Sequence, residues 1–315
     1  MRHSTHCMAP ASIGNFIVGF DTLGLAIQPI DGTSLYDVVE VSASQKTTLQ
    51  ISGTYAGWVP AGEDNLVQQA AQKVNTWLSN HQYEKQQWLL HLNKGLPVGS
   101  GTGSSAASCV AAIGALSEWL EKNQNISIPI EQRWQLMAEL EGSVSGTAHL
   151  DNIAPAVLGG LVLCPTKGLP QRLPFFDDWY LVLVYSGQIL RTSEARARLP
   201  KLYPAKHSIE QIQRISSVID GLYRQNRQQV LDHLGDHFAE PYRAELINGY
   251  SEIKPKLLEH GALAAGISGA GPSFFCICKN IDDAKNVQQF INTNLNFTEG
   301  GFIKICRTWH PHKFQ

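Results

Sequence analysis

The sequence is organised around a glycine-rich turn that follows an apolar, strand-like segment and leads into a run of small residues. The apolar segment is Gln87–Asn93, the turn is Pro97–Ala107, and the small residues continue to Leu116. Glycine permits positive φ and lets the backbone approach a ligand without a Cβ in the way. A helix start adds unpaired N–H groups and the positive end of a dipole. The order strand, turn, helix predicts a loop that wraps nucleotide phosphates, although a tight turn before a closely packed helix fits it too.

Two common nucleotide-binding motifs do not match this turn. A Walker loop requires a lysine after its last glycine, and none follows Gly103. A dinucleotide-binding turn requires a third glycine where this chain has Ser104, and an acid roughly 20 residues further on. The acid available, Glu118, lies in a predicted helix. A dehydrogenase is therefore disfavoured.

Length and charge exclude several other classes of protein. A chain of 315 residues predicts one or two domains. A net charge of -2 gives no basic surface, so we expect no nucleic-acid partner. No apolar run approaches the length of a membrane span, and residues 1–7 lack the apolar core of a secretory signal. We therefore expect a cytoplasmic protein with no membrane association.

The six cysteines form no Cys-x-x-Cys pair, which predicts buried, reduced thiols rather than a zinc site. His3 and His6 lie in an N-terminal tail that we expect to be disordered rather than metal-binding.

The N-terminal part of the chain contains several polar residues that can be read in two ways. After a turn-rich opening from Ala9, Asn15 and Asp21 stand among apolar residues and glycines, where they either shape a turn or hold a polar substrate. Residues 36–43 and 47–52 alternate as strands do. Asn65 either caps the helix predicted for residues 66–78 or contacts a nucleotide base.

A carboxylate and a polar cluster follow the glycine-rich turn. Residues 131–142 predict a helix with Glu141 at its C-terminal end, where a negative charge opposes the helix dipole unless a bound Mg²⁺ reverses the sign. Residues 142–160 combine glycines with His149, Asp151 and Asn152 inside an apolar frame. A histidine alone is more often a packing residue, but the cluster as a whole predicts a functional site.

The second half of the chain predicts a separate α+β domain. From Trp179 onward the elements read as strand, helices, strand, strand, helix, strand, which is the split βαβ or ferredoxin-like arrangement. We therefore divide the chain into domains at 1–165 and 166–315. Arg196 and Arg243 lie at a strand-to-helix junction and in a helical region, and a guanidinium fork there suits a carboxylate.

Three glycine-containing motifs together carry a resemblance to a known family. They are Ala9-Pro-Ala with Asn15 and Gly19-Phe-Asp21, the central Pro97–Ala107 turn, and Gly266-Ile-Ser-Gly-Ala-Gly-Pro272. With them the chain resembles the GHMP small-molecule kinases over nearly its whole length. The segments around His149-Leu-Asp-Asn152, Thr192–Pro200 and Glu240–Arg243 are similar to those of the members that phosphorylate L-homoserine.

The resemblance implies a fold, a reaction and a set of site residues. The fold would pair an N-terminal domain like ribosomal protein S5 domain 2 with a ferredoxin-like C-terminal domain, usually in a homodimer. The reaction would be transfer of phosphate from ATP, with Mg²⁺, to the side-chain hydroxyl of L-homoserine in threonine biosynthesis. The implied ATP-binding residues are Asn65, Lys94, Pro97, Val98, Gly99, Ser100, Gly101, Thr102, Gly103, Ser104, Ser105, Ala106 and Ala107. Mg²⁺ would be held by Ser105 and Glu141, and the homoserine site would be lined by Asn15, Asp21, His149, Asn152, Thr192, Arg196 and Arg243.

The residues expected closest to the reaction are Glu141, Asn152 and Arg196. Some relatives have a catalytic aspartate where this chain has Asn152, and an amide is not a base at neutral pH. We therefore predict that no dedicated general base acts, and that the neighbouring Asp151 points elsewhere because adjacent residues of an extended loop face opposite ways. A second departure is Thr102, which stands where the family usually has leucine. The alternatives left open are a family kinase acting on mevalonate or a sugar, and an ATP-binding module without catalysis.

Overall fold

A computed structural model describes residues 3–145 and 149–311, without the side chains of residues 144 and 145. The strands are β1 (Thr5–Gly14), β2 (Leu23–Pro29), β3 (Tyr36–Ala43), β4 (Thr48–Ser52), β5 (Trp88–Asn93), β6 (Leu161–Leu163), β7 (Gln171–Arg172), β8 (Tyr180–Tyr185), β9 (Ala262–Ile267), β10 (Phe274–Cys278) and β11 (Phe302–Thr308). The α-helices are α1 (Leu66–Asn80), α2 (Ser104–Gln124), α3 (Ile130–Ser145), α4 (Ile153–Leu158), α5 (Thr192–Ala197), α6 (Ala205–Tyr223), α7 (Arg227–His233), α8 (Glu240–Arg243), α9 (Tyr250–Leu257) and α10 (Ile281–Asn294).

The chain forms two compact units that interleave along the sequence. The first contains the described residues within Met1–Ala11, Ser34–Val98 and Ser104–His149, and the second contains Ser12–Thr33, Gly99–Gly103 and the described residues from Leu150 onward. The domain boundary near residue 165 stays a prediction.

The first unit is a sheet in the order β4-β5-β3-β1, with α1, α2 and α3 packed together and α2 against β3. The pairs β1–β3 and β3–β5 are antiparallel, and β4–β5 is parallel. The small residues of α2 allow this close packing: a Cβ on Gly114 would lie 2.5 Å from the Cys7 sulfur. The prediction of a tightly buried helix after the glycine turn is confirmed.

The second unit contains the predicted split βαβ arrangement. Strands β11, β8, β10 and β9 are neighbours in that order and all antiparallel, with α10 packed on them. Strand β2 extends this sheet beyond β11, and β6 pairs with β2. No helix in the described part of the chain combines the length and apolar character needed to cross a bilayer.

The prediction for the N-terminus was wrong. Residues from Thr5 onward form β1 rather than a disordered tail, and Ala9–Gly14 continue that strand rather than opening a turn. Pro10 disfavours a strand interior, and it lies at the end of the pairing with β3, opposite Tyr36. The Thr5 hydroxyl donates to the Ala115 carbonyl at 2.8 Å, a long-range contact that local sequence does not reveal.

Candidate active site

The glycine-rich turn adopts a backbone that requires its glycines. Gly99, Gly101 and Gly103 have φ of 66°, 80° and 72°. A Cβ on Gly101 would lie 2.7 Å from the carbonyl oxygens of Ser268 and Gly271. Both the left-handed conformation and the close approach therefore exclude side chains at this position.

Four consecutive carbonyls of the turn accept hydrogen bonds within the second unit. The pairs are Leu190 N to Gly99 O at 3.0 Å, Ser273 N to Ser100 O at 2.9 Å, Ser268 Oγ to Gly101 O at 2.7 Å, and Ser12 N to Thr102 O at 3.1 Å. In a planar trans peptide the C=O and N–H groups point in opposite directions. The N–H groups of residues 100–103 therefore point away from these donors, and that of Thr102 donates to the Ser100 hydroxyl oxygen at 3.4 Å.

Thr102, the departure from the family pattern, is fully buried. Its hydroxyl lies 2.7 Å from the Ser100 hydroxyl, and the two form a hydrogen bond inside the turn.

Ser105 and Glu141 meet at the start of α2. The Ser105 hydroxyl donates to Glu141 Oε1 at 2.9 Å. Helix α3 continues to Ser145, so Glu141 lies about one turn before the helix end rather than at the end itself. Burial raises the pKa of Glu141, while the Ser105 hydrogen bond and the Lys94 charge act in the opposite direction. A hydroxyl and a carboxylate side by side are oxygen donors of the kind that Mg²⁺ takes together with substrate phosphates.

Lys94 is buried in an ion pair beside the same helix start. Its Nζ donates to Asp37 Oδ2, to the Ser104 carbonyl at 3.0 Å and to the Ser108 hydroxyl at 3.0 Å. Asp37 Oδ1 accepts the N–H groups of Gly95 and Leu96 at 3.0 and 3.2 Å. These contacts use all three ammonium protons, so Lys94 fixes the segments on either side of the turn.

Asn65 is the N-cap of α1. Its Oδ1 accepts the Val67 N–H at 2.9 Å and its Nδ2 donates to the Pro60 carbonyl at 2.9 Å. The capping interpretation is confirmed, and the contact with a nucleotide base stays a prediction.

Four of the predicted substrate residues share one network in the second unit. Arg196 Nη2 donates to Asp21 Oδ1 at 2.9 Å and Nη1 donates to Oδ2 at 3.2 Å. Asn15 Oδ1 accepts the Asp21 N–H at 2.9 Å. Asn15 Nδ2 and Arg243 Nη1 both donate to the Gly269 carbonyl, at 2.8 and 3.2 Å. Asn15, Asp21, Arg196 and Arg243 therefore form one charged cluster.

Phe20 lies under both guanidinium groups of this cluster. The distance from its ring centre is 5.6 Å for Arg196 and 5.5 Å for Arg243. Burial lowers the pKa of Arg243, and the nearby charge of Arg196 adds to that effect. Two like charges held this close favour an anionic ligand.

The segment that carries the cluster is strained. Asn15, Phe16, Ile17 and Asp21 have φ of 67°, 40°, 61° and 53°. Left-handed φ is costly for a β-branched residue such as Ile17, and such strain concentrates at functional sites. The strain agrees with a ligand-binding role for Asn15 and Asp21.

Asp151 and Asn152 lie side by side, so the prediction that Asp151 points elsewhere was wrong. The segment is a turn, with Asn152 at φ -105° and ψ -36°, rather than extended chain. Asn152 Nδ2 donates to Asp151 Oδ1 at 3.3 Å, and Asp151 Oδ2 accepts the Asn15 N–H at 3.2 Å. Asn152 Oδ1 accepts the Ser12 hydroxyl at 2.9 Å.

The remaining predicted residues occupy less defined positions. Thr192 is the exposed first residue of α5. His149 is half-buried and belongs to the first unit. Residues 146–148 of the predicted polar cluster lie outside the described residues. The roles of Thr192 and His149 in substrate binding stay predictions.

Sequence reasoning missed Asp37, Phe20 and the two sides of the Ser268–Gly269 peptide. The burial of Asp37 could have been predicted from the sequence, because strand alternation places it on the same face as the buried Val39 and Val41. A carboxylate on an apolar face requires a charged partner. Phe20 contributes through the position of its ring, Ser268 through its hydroxyl and Gly269 through its carbonyl, and no local sequence pattern predicts these contacts.

Comparisons with known proteins place the chain in a family. Residues 65–160 match the N-terminal domain of the GHMP kinases, and residues 211–296 match their C-terminal domain. The chain belongs to the GHMP kinase family. Kinases of this kind use ATP.

Within that family, the relatives of this chain include homoserine kinases. The homoserine kinase of Buchnera aphidicola is 38% identical over 301 residues, which span 95% of this chain and 93% of that protein. The crystal structure of homoserine kinase from Cytophaga hutchinsonii has a TM-score of 0.83 at 28% identity, covering 98% of this chain and 96% of that one. The structure of L. major mevalonate kinase has a TM-score of 0.66 at 16% identity, covering 97% and 96%, and it shares the fold.

Proposed function

We propose that this chain transfers the terminal phosphoryl group of ATP to the side-chain hydroxyl of L-homoserine, giving O-phospho-L-homoserine and ADP, as a step of threonine biosynthesis in the cytoplasm. The observation that carries the proposal is the charged cluster of Asp21, Arg196 and Arg243. One carboxylate and two guanidinium groups complement the ammonium and carboxylate of an amino acid. Mevalonate or a sugar has no ammonium for Asp21 to bind.

The substrate carboxylate would bind the guanidinium forks, which suit bidentate contact. The substrate ammonium would bind Asp21, whose backbone N–H is already held by Asn15. Both contacts require Arg196 and Asp21 to exchange part of their mutual ion pair for the ligand. Orientation of this kind supplies much of the rate in phosphoryl transfer, since the hydroxyl must face the phosphorus in line.

The ATP phosphates would be bound by the turn Pro97–Ala107, with Mg²⁺ held by Ser105 and Glu141. The Ser105–Glu141 contact and the orientation of the turn's peptides support this assignment. Bound Mg²⁺ would neutralise charge on the phosphates. The protein ligands would be ionised Glu141 and the Ser105 oxygen, whose proton is now donated to that carboxylate.

No dedicated general base is needed in this proposal. Asp151 has both carboxylate oxygens engaged, by the Asn15 N–H and by Asn152 Nδ2. The hydroxyl proton would pass to a phosphate oxygen, directly or through water, while Asn152 positions the substrate.

The remaining assignments are part of the same proposal. Asn65 and Lys94 would act near the nucleotide, Lys94 by fixing the turn. His149 and Thr192 would complete the homoserine site. The protein would act as a homodimer.

An ATP-consumption assay with L-homoserine, L-serine, L-threonine and mevalonate tests the proposal. We expect turnover with L-homoserine and phosphate on its side-chain oxygen. Turnover of mevalonate without turnover of homoserine would assign the chain to another kinase of the family. Nucleotide binding without transfer to any of the hydroxyls would favour a binding module without catalysis.

A further inference from the structure

The turn between β9 and β10 contacts both halves of the proposed machinery. On one side, the Ser268 hydroxyl donates to the Gly101 carbonyl of the glycine-rich turn at 2.7 Å. On the other, the next carbonyl along the chain, Gly269 O, accepts from Asn15 Nδ2 at 2.8 Å and from Arg243 Nη1 at 3.2 Å. One dipeptide therefore carries a contact to the nucleotide loop and two contacts to the charged cluster.

Backbone hydrogen bonds close the turn between β9 and β10. The Ser268 N–H donates to the Ser273 carbonyl at 2.9 Å, and the Gly271 N–H donates to the Ser268 carbonyl at 2.9 Å. Gly269 also donates its N–H to the Gly14 carbonyl at 3.0 Å, at the end of β1. These hydrogen bonds tie the Ser268 and Gly269 peptides into one closed turn.

Ser268 differs from the other residues that hold the glycine-rich turn. The carbonyls of Gly99, Ser100 and Thr102 are held by backbone N–H groups, whereas Gly101 is held by a side chain. Ser268 is fully buried, so bulk water does not reach the position of its hydroxyl. This is the one contact of the four that a point substitution removes without changing the backbone.

We propose that Ser268 is a positioning residue that couples nucleotide binding to amino-acid binding, through its hydrogen bond to Gly101 and the adjacent Gly269 carbonyl. The proposal rests on the proposed function, since it takes the charged cluster as the amino-acid site. Substrate held by Arg243 would fix the Gly269 carbonyl, the turn would hold Ser268 in place, and the Gly101 peptide would keep its N–H side toward the phosphates. Binding of each ligand would then favour binding of the other.

The test compares wild type with Ser268→Ala by calorimetry, using a non-hydrolysable ATP analogue with Mg²⁺ in the absence and presence of saturating L-homoserine. For the wild type we expect the analogue to bind roughly 5- to 150-fold more tightly with homoserine, the usual range of coupling between two sites. Ser268→Ala should weaken the analogue alone by about tenfold, because a buried acceptor loses its partner. In this variant, homoserine should leave the affinity for the analogue nearly unchanged.

Ser186→Ala is the matched control. Ser186 is a buried serine of the same unit whose hydroxyl has no hydrogen-bond partner among the described residues. Its loss should leave both affinities at their wild-type values. If Ser268→Ala precipitates, Ser268→Cys keeps the shape with a weaker donor and allows the same measurement.

Three results would overturn the proposal: homoserine binding without coupling in the wild type, unchanged coupling in Ser268→Ala, or an equal loss of affinity in Ser186→Ala. Failure of the proposed function has a different signature. If the wild type neither binds nor phosphorylates homoserine, homoserine does not change the affinity for the analogue in either protein. The weaker binding of the analogue by Ser268→Ala would still support the contact with Gly101.

Discussion

The Ser105 hydroxyl donates to Glu141 Oε1 at 2.9 Å, joining the first turn of α2 to α3. The carboxylate is held where water has little access, since its Oε2 is not exposed to solvent. Burial raises the pKa of Glu141. A carboxylate beside a hydroxyl supports the proposed Mg²⁺ site.

Glu141→Gln should separate stability from metal use. The substitution keeps the shape and removes a buried charge, so without Mg²⁺ the melting temperature should stay the same or rise. Activity at fixed ATP should fall by more than about tenfold, the lower range seen when groups around a metal site are removed. Thermal unfolding without metal and activity against Mg²⁺ concentration measure the two effects. Wild-type activity in Glu141→Gln would contradict the metal assignment.

The pH dependence gives a second test of Glu141. Because its folded pKa is raised, the folded protein binds this proton more tightly than the unfolded chain does. The stabilisation from this group is therefore present at low pH and is lost as pH rises through the folded pKa. Mg²⁺ binding requires ionised Glu141, so the affinity for Mg²⁺ should decrease as pH falls. The decrease should begin at a higher pH than for an ordinary glutamate. Both trends should disappear in Glu141→Gln, as shown by unfolding and Mg²⁺-nucleotide binding measured across pH.

The Lys94–Asp37 pair should behave as one unit. Both side chains are almost completely buried, so Lys94→Met leaves a carboxylate without its cation and should cost about 3–5 kcal/mol. In the double variant with Asp37→Asn, the amide still accepts the N–H groups of Gly95 and Leu96 and no charge is left alone. The double variant should therefore lose clearly less than the sum of the singles in urea unfolding. Additive losses would show that the two residues act independently.

Much of the fold was predictable because its elements carry local signals. The strand at residues 36–43 and the order of β8, β9, β10, α10 and β11 follow from alternation, helical spacing and turn residues. Strand β1 was not predictable in this way, since its place depends on pairing with β3 and on contact with α2. The sequence predicts only helices between β8 and β9, and the structure divides that segment into five α-helices, among them α8 with Pro241 in its first turn.

The candidate site was predictable for charged residues and less so for those acting through the backbone. Arg196 and Asp21 are 175 positions apart, and only the family resemblance placed them in one site. Ser268 gave no signal beyond lying in a glycine-rich turn, because its role depends on the carbonyl of Gly101. The proximity of Asp151 to Asn152 depended on a turn that the sequence reads as extended loop.

Asp21→Asn should change substrate choice more than folding. If Asp21 binds the ammonium group, Asp21→Asn should lower kcat/KM for L-homoserine by roughly 10- to 100-fold, the range of a hydrogen bond to a charged group. 4-Hydroxybutanoate lacks that ammonium and should be affected far less, so the preference for homoserine should shrink. Asp178→Asn is the control, since Asp178 pairs with Arg227 at the surface. An equal loss for both substrates would show that Asp21 acts only by holding Arg196.

Asp151→Asn and Asn152→Asp together decide whether a general base acts. Asp151 accepts the Asn15 N–H through Oδ2, and an asparagine can keep that contact through its own oxygen. Without a base role, Asp151→Asn should therefore lower kcat by less than about tenfold, below the factor of 10²–10⁴ typical of general acid–base catalysis. Asn152→Asp would place two carboxylates within hydrogen-bonding reach, and without a base role the added negative charge should lower kcat rather than raise it. Steady-state kcat and KM across pH distinguish these outcomes, and a collapse of kcat confined to Asp151→Asn, with homoserine binding intact, would identify Asp151 as the base.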